Sequence, residues 1–212
     1  MCQQKVKKIG NKSEHLFIDK YLSCGIILKD IFQLVFIGTV AGTTPMCKHA
    51  CCMIHIMRVL IISDSHGKTE NIEYLKGKVG KIDLVLHCGD GISDIDYIGD
   101  IFKCRAVGVS GNCDMFSREP SMVNLNIEGN LVHIEHGHRL QFRSDVDLIS
   151  FAKDNGYDVV LFGHTHVQKL LNKDGVWVVN PGSISRPRDG YPSYCILEAE
   201  GRGKLDFKLL RL

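Results

Sequence analysis

Several things common in specialised proteins are missing from this chain of 212 residues. No apolar run is long enough to cross a bilayer. The longest, 31–42, falls short of the roughly 20 residues a spanning helix needs, and Lys29 and Asp30 sit directly against it. The start is polar and Lys-rich where a secretory signal would carry its apolar core. A basic stripe is also absent. Residues 1–56 hold 7 Lys/Arg and 3 Asp/Glu, a balance of +4, whereas residues 57–212 hold 19 and 21, a balance of −2. The larger part is mildly acidic, which argues against a dedicated nucleic-acid binder. An acidic domain that takes phosphate-bearing substrates needs cations to hold them. Cysteine is plentiful, nine residues, but five fall before residue 57 and the remaining four are scattered. An odd total without framework spacing reads as a reducing, cytoplasmic setting rather than a disulfide scaffold. Internal repeats and low-complexity segments are absent as well.

The first 56 residues do not read like the rest. Cys47, His49, Cys51, Cys52 and His55 match no standard zinc spacing, and no second ligand pair follows them. Residues 1–56 are expected to be an extension of no assignable role, disordered or the product of a start assigned too early. Residues 57–212 are expected to be the functional domain.

From Arg58 the rhythm becomes strand and helix in alternation. Apolar runs at 59–62, 84–86 and 106–109 read as buried strands. Between them, Ile72, Leu75 and Val79 mark one helix face, and Ile95, Ile98, Ile101 and Phe102 mark another, with Ser93 placed to cap it. After this βαβαβ half, 123–127 and 131–135 flank a Glu-Gly-Asn hairpin turn. Ser144 is placed to cap a third helix with Leu148, Ile149 and Ala152 inside, ending near Gly156. A strand at 157–162, a hairpin across Asp174-Gly175 and two closing strands near 193–197 and 205–209 complete the chain. Parallel units followed by hairpins imply two packed sheets with helices outside.

The residues that carry chemistry sit where strands end. Asp64 and His66 follow the first, Asp90 the second and Asn112 the third, while His136 and the pair His164 and His166 follow two later strands. Residues two apart in extended backbone point to one side, so each His-x-His or Asp-x-His is expected to deliver two donors together. Each piece alone has a plainer explanation: Asp64 a helix cap, Asp90 a turn residue, His136 a hydrogen-bonded core histidine. Together they make two carboxylates, one amide and four imidazoles. That is too many for one tetrahedral zinc and too rich in nitrogen for calcium or magnesium. The set suits a pair of borderline divalent ions.

In this order Asp-x-His, Gly-Asp, Gly-Asn-x-Asp, His-Gly-His and Gly-His-x-His resemble the signature of the calcineurin-like metallophosphoesterase superfamily. The short spacings, the Gly-Asn-Cys-Asp form and the Asn-Pro-Gly-Ser turn are similar to its small YfcE-type phosphodiesterase branch. The resemblance covers residues 57–212. It implies an α/β fold, a four-layer αββα sandwich of two mixed β-sheets flanked by helices. It also implies that Asp64, His66, Asp90 and His166 hold one divalent ion and Asp90, Asn112, His136 and His164 a second. Mn²⁺ stands first among Mn²⁺, Ni²⁺, Co²⁺, Zn²⁺ and Fe²⁺. A water shared by two such ions roughly 3.5–4 Å apart is deprotonated near neutral pH and attacks phosphorus in line.

Many members carry His after the Gly-Asn step, where it assists the leaving group; here that position is Cys113, a poorer acid at neutral pH. His138 is the candidate donor in its place, or else a support for its loop. Asn112, His136 and Ser183 are expected to contact substrate, with Arg186 and Arg188 nearby. The expected reaction is hydrolysis of a small phosphodiester, with no dedicated nucleic-acid or membrane partner and with self-association as a homo-oligomer left open. Two other readings share the fold: a phosphomonoesterase on the same two-ion site, and a protein-binding scaffold like the retromer subunit that has lost part of the ligand set.

Overall fold

The computed structural model describes residues 55–139 and 144–212. The expected run at 31–42 and the cysteine and histidine group at 47–52 lie outside them. Two mixed sheets of five strands form, in the orders β10-β9-β1-β2-β3 and β4-β5-β6-β8-β7. In the first sheet, β1 (Met57–Ile62), β2 (Leu84–His87) and β3 (Arg105–Gly108) run parallel. The last strands, β9 (Ser193–Gly201) and β10 (Lys204–Arg211), return antiparallel on its other side. The second sheet has a parallel centre of β5 (Asn130–Glu135), β6 (Val159–Leu161) and β8 (Val176–Pro181). Antiparallel edges close it, β4 (Met122–Ile127) beside β5 and β7 (Gln168–Lys173) beside β8.

The continuous apolar runs follow from burial on both faces. In β1, Val59 and Ile61 enter the core between the sheets, while Leu60 and Ile62 enter the core under two helices. Those helices are α1 (Glu70–Lys76) and α2 (Ile95–Phe102). On the far sheet, Val132, Ile134, Val159 and Leu161 face the inter-sheet core, and Val160 and Val178 face α3 (Asp145–Asn155). Helix, sheet, sheet and helix stack in that order, which is the expected αββα sandwich.

Local chemistry sets the element ends. Ser144 caps α3 in a reciprocal capping box with Asp147, and Gly156, at φ +72°, ends it. The turns Glu128-Gly129 and Asp174-Gly175 have positive φ at both positions, as two-residue hairpins of matching twist require. Two expectations need correction. Ser93 does not cap α2, because residues 92–94 form a 3-10 turn that leads into the helix from Asp94. Val79 lies beyond the C-cap of α1, yet it stays buried beside Ile72 and Leu75 because its N–H folds back onto the Leu75 carbonyl.

Candidate metal centre

All the chemistry-bearing residues gather outside the C-terminal ends of β1, β2, β3, β5 and β6, the edge where mixed and parallel sheets place ligands. The backbone reaches this arrangement by an unexpected route. Asp64, His66, Asp90, His164 and His166 have φ of 56°, 49°, 57°, 64° and 59°. These are left-handed conformations, so the extended alternation expected for Asp-x-His and His-x-His is wrong. Asp64 and His66 come together through a tight turn instead, and of the second pair only His166 joins them. A non-glycine residue in this region costs roughly 1–3 kcal/mol and is typical of functional loops.

The side chains meet closely. Asp64 Oδ1 lies 3.1 Å from His166 Nε2 and 3.9 Å from His136 Nε2. His136 Nε2 is 3.4 Å from Asp90 Oδ2, and His66 Nε2 is 3.4 Å from His166 Nε2. Three sets bring one ligand atom each within 4.8 Å of one another: Asp64, His66 and His166; Asp64, Asp90 and His136; and His66, Asp90 and Cys113. Backbone carbonyls hold two of the rings. His136 Nδ1 is 2.7 Å from the Cys88 carbonyl, and His166 Nδ1 is 2.6 Å from that of Arg186. A carbonyl only accepts, so each Nδ1 carries the proton and each Nε2 turns a lone pair inward.

Lone pairs therefore face carboxylate oxygens. Asp64 Oδ1 and His136 Nε2 are buried without a hydrogen-bond partner. Such groups are costly unless a positive charge joins them. A proton serves only part of the set. Burial opposes it at His136, but the Asp90 carboxylate 3.4 Å away and the charge of Asp64 raise that imidazole above its ordinary range. Burial lowers His66 and His164. Burial also raises Asp64, whereas at Asp90 its effect is overcome by His136 and the Cys113 N–H, which hold that carboxyl well below the usual range. Divalent cations satisfy carboxylates and imidazole lone pairs together, so the donor set fits metal.

Comparison with known proteins agrees with this chemistry. Residues 57–202 match the calcineurin-like phosphoesterase superfamily domain. The chain belongs to that superfamily. A probable metallophosphoesterase of Bacillus subtilis is 35% identical over 147 residues, 68% of this chain and 85% of the relative. A phosphodiesterase of Methanocaldococcus jannaschii is 28% identical over 165 residues, 68% of this chain and 94% of that protein. Among solved structures, a predicted phosphoesterase of Streptococcus pneumoniae has 25% identity and a TM-score of 0.61, covering 74% of this chain and 90% of its own. The vacuolar protein sorting 29 structure of Cryptosporidium parvum shares the fold at 23% identity and a TM-score of 0.58, over 74% and 98% of the two chains.

Against this superfamily frame, the expected site residues separate into a centre and a rim. Asp64, His66, Asp90, His136 and His166 form the centre. His164 is exposed, its ring centroid 5.2 Å from that of His136, and its own N–H donates to Asp64 Oδ2. Asn112 is also exposed, its amide 3.4 Å from the Cys113 sulfur. The Asp90 carboxylate accepts a hydrogen bond from the Cys113 thiol and pushes it up to about 11, so it stays protonated at neutral pH. The His138 ring lies tilted against that of His136, centroids 5.5 Å apart, and its Nδ1 has no partner among the described residues.

Two expected substrate contacts need correction. Ser183 is fully buried, and its hydroxyl donates to the Asp64 carbonyl while accepting from Ser185 and Arg186 N–H. It shapes the Asp64 turn and has no atom free for substrate. His136 is 1% exposed and faces Asp64 and Asp90 rather than solvent.

Three supports were not anticipated as such. Asp114 accepts from Asp90 N and Gly111 N on one oxygen and from Gly91 N and Ile92 N on the other. One carboxylate thereby sets both the Gly-Asp and Gly-Asn loops. Gly111 is required there because a Cβ would overlap the Asp90 carboxylate. Asn180 donates to the Gly163 carbonyl at 2.7 Å and to Thr165 Oγ1 at 3.0 Å, holding the His164 loop. The third support is buried His87, which joins Ser65 Oγ through Nε2 and accepts from Gly89 N at Nδ1. The Asp of Gly-Asn-x-Asp and the Asn of Asn-Pro-Gly-Ser were the available signals for the first two. Nothing local marked His87.

Proposed function

We propose that the chain is a divalent-metal-dependent phosphodiesterase with residues 57–212 as its catalytic domain. The observation that carries this reading is the convergence of buried carboxylate oxygens and imidazole lone pairs that have no partner but each other. Asp64, His66, Asp90 and His166 would hold one ion, and Asp90, Asn112, His136 and His164 the other, with Mn²⁺ as the first candidate. When bound, such ions neutralise phosphoryl charge and lower the pKa of the attacking water.

The chain's own residues do the rest. Asp90 stays ionised across the neutral range because His136 and the Cys113 N–H stabilise its charge. The Cys88 and Arg186 carbonyls fix two imidazoles in the ligating tautomer. The arginine side chain that follows from the latter turn raises positive potential near His66 and Cys113, where an anionic ester would enter. The protonated Cys113 thiol and the His138 ring stand at the rim as the candidate proton donors to the departing alcohol. The diester preference draws support from the phosphodiesterase named among the relatives. Four cysteines without disulfide partners among the described residues support a cytoplasmic setting. A small phosphodiester is the expected partner, nucleic acid is not, and a homo-oligomer is compatible with the reading.

The test is hydrolysis of bis-p-nitrophenyl phosphate and of p-nitrophenyl phosphate by metal-stripped protein titrated with Mn²⁺. Diester turnover should appear with Mn²⁺ and exceed monoester turnover. Asp90→Asn keeps a side chain that tolerates the left-handed backbone, yet it should lose at least about a hundredfold, more than a supporting residue normally contributes. A folded protein inactive with Mn²⁺, Ni²⁺, Co²⁺ and Zn²⁺ would overturn the catalytic reading in favour of a protein-binding scaffold.

A further inference from the structure

The loop that follows the Gly-Asn-Cys-Asp turn carries an unexplained feature. Met115 and Phe116 are 75% and 97% exposed, and Phe116 is held at φ +69°. A bulky side chain in the left-handed region that buries nothing contributes strain without stabilising the fold. The loop is nonetheless well tied. Ser117 N donates to the Asp114 carbonyl, Glu119 N to Ser117 Oγ, and Ser110 N to the Pro120 carbonyl at its base. Between this loop and the 3-10 turn before α2 runs a groove of about 470 Å³. Ile92, Ile95, Met115, Phe116 and Cys113 are among the residues that line it. The Cys113 sulfur is within 4.8 Å of ligand atoms of His66 and Asp90, so the groove opens directly from the candidate metal centre.

We propose that this groove binds a planar, uncharged aromatic group of the phosphodiester, with Phe116 and Met115 packing against its face. The inference rests on the metal-dependent reading above and specifies its substrate class. The size suits one ring system, since small-molecule sites begin near 300 Å³. Its charge selects against a second phosphate. Asp96 and Glu119 face Arg118 alone, while the Asp114 carboxylate is consumed by four backbone N–H groups. An uncharged ring escapes the repulsion that those acids would impose on a polyphosphate. A phenyl ring and a nucleobase share that uncharged planar face, and only the nucleobase adds N–H groups that the acids can accept from.

The test is calorimetric binding of non-hydrolysable phosphonates to the full-length Mn²⁺-loaded protein, which needs no turnover. Phenylphosphonate and methylphosphonate present the same head to the metal centre and differ only in the group offered to the groove. The aryl compound should bind roughly five- to tenfold more tightly, the scale of a good aromatic contact. Phe116→Ala and Met115→Ala should each shrink that ratio and leave methylphosphonate affinity unchanged. Phe116→Gly relieves the strained φ, so it should fold at least as well and still lose the preference. The gain of thymidine 5′-phosphate over ribose 5-phosphate is compared with the phenyl-over-methyl gain: a larger nucleotide gain assigns the groove to a nucleobase, and an equal or smaller one to a plain aryl ring. Equal affinity of the two phosphonates for the native protein, or a preference unmoved by all three variants, overturns the groove assignment. Failure of both phosphonates to bind at all would instead overturn the metal-centre reading on which it stands.

Discussion

At the scale of single residues, the groups beside the site determine more than their positions in the chain suggest. Asp114 satisfies four N–H groups, and hydrogen bonds to an ionised group are worth about 1.5–3 kcal/mol each. Asp114→Asn turns an N–H donor against those donors. It should lower Mn²⁺ affinity roughly 10- to 100-fold and depress the melting temperature, as metal titration by calorimetry and thermal unfolding would show. Unchanged affinity would mean that the loops hold their shape without it. Buried His87 makes a different prediction. Its pKa is lowered to about 4, chiefly by burial, with Asp114 and Asp90 opposing and His136 and His66 assisting. Its Nδ1 accepts from Gly89, so protonation there breaks that bond. Between its ordinary pKa near 6.5 and the folded value near 4, the unfolded chain binds more protons than the folded one. Stability is therefore complete above about pH 6.5 and falls as pH drops through that window, by about 3 kcal/mol in all. Urea unfolding at pH 7 and pH 4.5 measures this, and His87→Gln should flatten the slope.

At the scale of elements, α3 was the most legible from sequence. Ser144, Leu148, Ile149, Ala152 and Gly156 all hold the places their chemistry assigns. Ser144→Ala removes the N-terminal acceptor and should cost about 1 kcal/mol. Gly156→Ala places a Cβ at φ +72° and should cost roughly 1–2 kcal/mol. Both are read from equilibrium unfolding, and both should leave diester turnover unchanged because neither touches a strand end at the site. Helix α2 was less legible. Ile98, Ile101 and Phe102 pack inward as expected, but Ile95 lies outside that core and lines the neighbouring groove. The chain also enters through a 3-10 turn because Asp114 ties the N–H groups of Gly91 and Ile92. A partner more than twenty positions away overrode the local capping signal at Ser93.

At the scale of the whole molecule, the active elements come from both sheets, and β1 is central to the first of them. Its ladder begins at Met57, which pairs with Ala199 of β9, and continues to Ile62 beside His87 of β2. The match to the superfamily domain also begins at residue 57. On the proposed reading, a chain of residues 57–212 should fold with a melting temperature and a phosphoester kcat/KM close to those of the full protein. Loss of either on removing residues 1–56 would give that segment a structural or catalytic role. None of the helices among the described residues is long and apolar enough to cross a membrane.

The sequence by itself determined the order of strands and helices, the two-sheet sandwich and the kinds of donor at each strand end. Those properties are written in hydrophobic period and in the residue types that follow each apolar run, both of which are local. The tertiary structure alone decided which donors share a centre and which stand at its rim. It decided the tautomers, because His136 and His166 are held by carbonyls 48 and 20 positions away. It decided that Ser183 supports the Asp64 turn from beneath, and that Asp and His residues converge through left-handed turns instead of extended backbone. A backbone angle and a ring orientation answer to every group packed around them, and most of those groups are distant in the chain.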